Sequence, residues 1–225
     1  AKAEPKATLQ LLVEAGSMAE AQSRKLKVVL LGESSVGKSS LVLRFVRGQF
    51  VSGSLPTVGA AFLTQTLHVE GKTLKLEVWD TAGQEKFQAL APLYYHGAQI
   101  ALLVYDIAEQ RTFAKAKFWV NELQQHGDKG MIICLVGNKA DLEDNRAVKR
   151  EEAEEFSENN GFLFFETSAK SGDNVQELFV AAAVKAAEAV KEQRRPPGAS
   201  ANIRLGGEPE QTAGPTKFKK GCGCS

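Results

Sequence analysis

Gly32-Glu-Ser-Ser-Val-Gly37-Lys38-Ser39 is the stretch on which the fold turns. It fits the spacing G-x-x-x-x-G-K-[ST]. The apolar run Lys27–Leu31 precedes it and reads as a buried strand. Lys38–Arg47 follows with helical spacing, so that Leu41, Val42 and Phe45 share one face. A strand, a glycine loop and a helix N-terminus make a cradle for phosphate. The glycines let backbone N–H groups converge on the oxygens, and the helix end adds positive potential. Lys38 then bridges the β- and γ-phosphates as a point charge, and Ser39 offers its hydroxyl to Mg²⁺. A plain glycine turn before a surface lysine does not require this strand and helix on either side.

Outward from the loop, strands and helices alternate. Phe62–Val69 and Thr73–Trp79 read as two strands joined through Glu70-Gly71-Lys72, a hairpin. Further strands are expected at Ile100–Tyr105, Met131–Val136 and Phe162–Phe165. Helices are expected at Phe113–Gln125, Arg150–Asn160 and Val175–Glu192. The implied fold is α/β: a mostly parallel six-stranded sheet with one antiparallel strand and helices on both faces. Residues 1–24 read as a flexible N-terminal arm, 25–192 as the folded domain and 193–225 as a flexible tail.

Composition narrows the function. The 225 residues carry 28 Lys+Arg against 27 Asp+Glu, too balanced for a chain whose surface grips nucleic acid. Three cysteines do not make a disulfide scaffold. No run approaches the ~18 apolar residues of a membrane span. A cytosolic, reducing compartment is the default expectation.

Asp80 ends a hydrophobic strand, where a second anchor for the metal belongs. In Asp80-Thr-Ala-Gly83-Gln84, the Gly83 N–H can face a γ-phosphate and Gln84 can orient a water, a catalytic role. Thr57 is the candidate for the last metal ligand. Asn138-Lys139-Ala140-Asp141 follows a strand and selects the base. The Asp141 carboxylate accepts from both N1–H and the 2-amino group of guanine, and adenine would leave it poorly paired. Ser168-Ala169-Lys170 follows the next strand, with the Ala169 N–H toward guanine O6 and the Lys170 stem beside the ring.

Taken together, GESSVGKS, PTVG, WDTAGQE, GNKAD and ETSAK resemble the motifs of a Ras-superfamily small GTPase. Gly59–Thr66, Trp79 and Tyr94-Tyr95 are similar to the Rab family, nearest its early-endosomal branch. The resemblance implies a G domain in which Ser34, Ser35, Val36, Gly37, Lys38, Ser39 and Ser40 wrap the phosphates. It implies Mg²⁺ on Ser39 and Thr57 with Asp80 behind, and Phe50 edge-on to guanine. Phe62, Trp79 and Tyr94 match the aromatic triad that Rab effectors read. Ser34 and Ser35 stand where other small GTPases often carry glycine, and Pro56 departs from the endosomal pattern.

The expected activity is hydrolysis of GTP to GDP and phosphate by a monomeric switch in vesicle transport, serving endocytic traffic and early endosome fusion. No insertion between Lys38 and Thr57 supplies an activating arginine, so a GTPase-activating protein acts in trans. The resemblance adds an exchange factor, a GDP-dissociation inhibitor and Rab effectors as partners. It also implies geranylgeranyl groups on Cys222 and Cys224. Residues 191–225 carry seven Lys or Arg against three Glu, the second signal that stable lipid anchoring needs. The expected location is the cytoplasmic face of endosomal membranes, in exchange with cytosol. Three rivals stay open: a similar switch on another membrane, a GTP-binding scaffold with negligible hydrolysis, and an ATP-using phosphotransferase.

Overall fold

The computed structural model describes residues 23–53, 55–83 and 90–193, the last three by backbone alone. Gln84, Cys222, Cys224, the arm before Ser23 and the tail after Gln193 lie outside the described residues.

Among the described residues, six strands form one sheet in the order β2-β3-β1-β4-β5-β6. They are β1 (Arg24–Leu31), β2 (Ala60–Val69), β3 (Lys72–Thr81), β4 (Ile100–Asp106), β5 (Ile132–Asn138) and β6 (Leu163–Thr167). β2 runs antiparallel to β3, and every other neighbour pair is parallel. The helices are α1 (Lys38–Arg47), α2 (Ala91–Tyr95), α3 (Gln110–His126), α4 (Arg150–Asn160) and α5 (Val175–Gln193). β1 begins at Arg24, a residue read from sequence as part of the arm.

The apolar run in β1 follows from burial on both faces. Leu26, Val28 and Leu30 pack on one side with Leu41, Phe45, Leu178 and Phe179 from α1 and α5. Val29 and Leu31 pack on the other with Phe113, Val120 and Ala153 from α3 and α4. Phe45 and Phe179 stack at 3.9 Å between centroids with rings 8° apart, locking α1 to α5. A chain that steps from β1 outward in both directions leaves a crevice at the strands' carboxyl ends. Among the described residues, the phosphate loop and the base loops meet at that edge.

Two short elements were not among those expected from sequence. α2 is a five-residue helix with a proline at its start, held by the buried Ala91 and Tyr95. Ala140–Asn145 is a 3₁₀ turn rather than an open loop.

Candidate functional site

A cavity of about 420 Å³ opens at the carboxyl edge of the sheet. Its walls include Ser34, Ser35, Gly37, Lys38, Ser39, Ser40, Phe50, Thr57, Gly83, Asn138, Lys139, Asp141, Ala169 and Lys170. Three expected contributors stand behind the wall instead. Val36, Asp80 and Ser168 are buried, and each acts through a neighbour.

At the phosphate end, Lys38 is 5% exposed. Its ammonium donates to the carbonyls of Gly32 and Glu33 at 3.0 and 2.7 Å. Burial pulls its pKa down to about 8, against the pull of Asp80 and Glu33. Gly37 has φ +96°, and a side chain there would collide with the Asn138 amide. A side chain on Gly83 would run into the Glu33 carbonyl and the Lys38 ammonium. The segment after β3 is thus pressed directly against the phosphate loop.

The metal reading meets a donor set of oxygen atoms. The Ser39 and Thr57 hydroxyls lie 2.8 Å apart although 18 residues separate them in sequence. Asp80 sits behind at 3% exposure, and its Oδ1 has no hydrogen-bond partner among the described residues. Burial raises its pKa, while a hydrogen bond from Ser39 and the charge of Lys38 oppose the rise. Two hydroxyls and an underused carboxylate fit a hard cation that keeps waters and phosphate oxygens in its shell. Among the described residues there is no cluster of three His, Cys, Asp or Glu, so the alternative of an all-protein metal cage has no ligands there.

At the other end, Asp141 is held from two sides. Ser168 Oγ donates to Oδ1 at 2.6 Å, and the Lys170 ammonium lies 3.6 Å from Oδ2. Asn138 ties three segments together. Its Nδ2 donates to the Val36 carbonyl at 2.8 Å, and its Oδ1 accepts from Thr167 Oγ1 and the Ala169 N–H, both at 3.3 Å. The Ala169 N–H, expected to face a base oxygen, here makes that long bond to Asn138. Lys139 adopts φ +67° and pairs with Asp106 at 2.6 Å, which lays its stem along the cavity.

A sequence model of the Ras family matches residues 27–188. The chain belongs to the Ras family. That family is one of small GTPases, switches that bind GTP or GDP with Mg²⁺ and answer to regulators. The match covers all six strands except the first residues of β1.

Sequence reasoning missed part of this GTPase's site. Asp106, 8% exposed, positions Lys139, and its Oδ1 also accepts from the Ala108 N–H. Arg146 bonds both Glu143 and the buried Glu166. It thereby ties the turn after Asp141 to the strand end before Ser168. The expected aromatic triad is contiguous. Phe62 meets Trp79 edge-on at 5.2 Å, and Trp79 lies 6.1 Å from Tyr94. Phe62 is 52% exposed.

Proposed function

We propose that this GTPase is a Rab-type switch of vesicle traffic in the early-endosomal branch. In this reading it works at the cytoplasmic face of endosomal membranes and cycles with cytosol. Geranylgeranyl groups on Cys222 and Cys224 carry it there, helped by Lys217, Lys219 and Lys220.

The supporting observation is the position of the triad. Phe62 follows directly on the segment that carries Thr57, and Tyr94 follows the segment that begins at Gly83. Trp79 bridges them one residue before Asp80. A partner docked on these three rings senses both phosphate-contacting segments at once. Val58 and Leu93, close to Phe62 and Tyr94 in sequence, are also exposed apolar residues.

The chain's residues divide the work. The phosphate loop and Lys38 orient the triphosphate, and Asp141 selects guanine. Ser39 and Thr57 hold Mg²⁺ with Asp80 behind; bound there, the cation offsets charge on the phosphate oxygens. Gln84 orients the attacking water. Gly83 and Thr57 contact the γ-phosphate side, so its loss releases both segments and the surface that effectors read. An exchange factor, a GTPase-activating protein, a GDP-dissociation inhibitor and effectors act on this cycle.

The test is localisation of the intact chain beside a C222S/C224S variant. The intact chain is expected on early endosomes and the variant in cytosol. Residence on another compartment rejects the branch, and membrane residence of the double variant rejects the anchor. Gln84→Leu is expected to slow activator-stimulated phosphate release roughly a hundredfold, the scale of a misplaced reactant. Unchanged release would leave Gln84 without a catalytic role. Absence of release from the wild-type chain with activator would favour the scaffold reading.

A further inference from the structure

Arg44 stands in the last turn of α1, and its guanidinium is committed to three backbone carbonyls. Nε donates to the Ala169 carbonyl at 2.8 Å, and one terminal nitrogen donates to the Lys170 carbonyl at 2.6 Å. The other donates to the Gly48 carbonyl at 2.8 Å. The first two acceptors belong to the loop that closes over the base. The third belongs to the residue capping α1, two positions before Phe50. Gly48 in turn donates its N–H to the Arg44 carbonyl at 2.9 Å, so the cap is held from both directions. The donors of a guanidinium are fixed in one plane. The base loop and the root of the segment carrying Phe50 and Thr57 therefore cannot shift independently while all three bonds hold.

We propose that Arg44 is a positioning residue that sets how long a guanine nucleotide stays bound. It fixes the Ala169–Lys170 peptide against the approach to Phe50, so that the two sides of the base pocket open together or not at all. The inference rests on reading Ala169, Lys170 and Phe50 as base contacts. Charge alone does not explain the geometry, because Arg47 brings the same charge to the same helix end.

Dissociation of a fluorescent GDP and of a fluorescent non-hydrolysable GTP analogue from the full chain tests this. Arg44→Ala is expected to raise both rates by the same factor, since both ligands share the base. The expected factor is about tenfold, a difference of roughly 1.4 kcal/mol. Arg47→Ala is expected to change neither rate. Hydrogen exchange on nucleotide-bound Arg44→Ala is expected to quicken at Ala169–Gly172 and at 49–51, with β1 and β4 still protected. Wild-type dissociation rates overturn the proposal. So does faster exchange throughout the core strands, which marks a merely structural loss. Arg44→Lys carries the same test if the alanine variant does not fold; it keeps the charge but cannot span three carbonyls, and wild-type rates there also overturn the proposal. Asp141→Asn is run alongside. Unchanged guanine preference in that variant removes the base-site reading itself, whereas altered preference with normal Arg44 variants removes Arg44 alone.

Discussion

Asp141 offers two carboxylate oxygens, each approached by the protein from one side, by Ser168 and by Lys170. The lone pairs left over are those a guanine edge requires. Asp141→Asn replaces one acceptor with a donor. It is expected to weaken GTP binding and to strengthen binding of xanthosine triphosphate, whose 2-position presents an acceptor. Competition between the two nucleotides measures this, and an unchanged order of preference takes Asp141 out of the site. Cys134 illustrates the opposite kind of residue. It is fully buried in β5, and burial pushes its thiol up to about 12. In a C222S/C224S chain it is the remaining cysteine, and at pH 8 it is expected to resist alkylation until the protein unfolds. Its sign in stability is negative at high pH. The unfolded thiol ionises from about pH 9 while the buried one stays protonated, so folding weakens as pH climbs past 9. A disulfide-exchange reagent that labels the native double variant at once would contradict this burial. The residues that line the cavity were legible because their types and spacing carry the chemistry. Asp106, Arg146 and Arg44 were not, because each has a deciding partner that lies far away in sequence: Lys139, Glu166 and the Ala169 carbonyl. Arg44 meets carbonyls 125 and 126 residues on, which no local pattern encodes.

Elements were legible where their ends are chemically marked. α1 and α4 have the ranges expected from sequence, and each ends on a left-handed glycine, Gly48 and Gly161. β3 runs two residues further than its apolar pattern. The Thr81 hydroxyl donates to the Leu30 carbonyl at 2.6 Å and the Ala82 N–H to the Gly59 carbonyl at 2.8 Å. Polar residues that look like a loop thus stay in the sheet because their hydrogen bonds are satisfied there. α2 has too few turns to show periodicity and depends on tertiary packing, including the Tyr95 hydroxyl donating to Glu122 at 3.0 Å. The β2–β3 hairpin turns at Glu70 and Gly71, with φ of +50° and +70°. This two-residue turn favours Asn at its first position. Glu70→Asn is expected to stabilise the domain by about 0.5 kcal/mol and to raise its melting temperature by about 1–2 °C. Nucleotide affinity is expected to stay unchanged, because the turn is at the end of the sheet away from the cavity. A lower melting temperature would show that Glu70 contributes more through its contact with Lys72 than its backbone costs.

Across the whole domain, the sheet is a rigid frame with its sensing parts at one edge. β1, β4 and β5 are buried on both faces, while Phe50, Thr57 and Gly83 line the cavity from outside the strands. A change at the phosphate end therefore has a short path to the triad. Thr57 lies five residues before Phe62, and Asp80 adjoins Trp79. The Lys27 ammonium also lies 5.3 Å from the Trp79 ring, so the indole reports on local charge as well as packing. The chain holds two tryptophans, and Trp119 is buried in α3. In a Trp119→Phe chain the emission therefore comes from Trp79. Replacing GDP with a non-hydrolysable GTP analogue is expected to shift that emission, because the flanking segments change their contacts with Phe62 and Tyr94. Adding Phe62→Ala is expected to shrink the shift without abolishing nucleotide binding, since Phe62 borders the indole but not the cavity. Identical Trp79 spectra with the two nucleotides would mean that the triad does not follow the γ-phosphate, and its exposed face would then have no means of telling the two states apart.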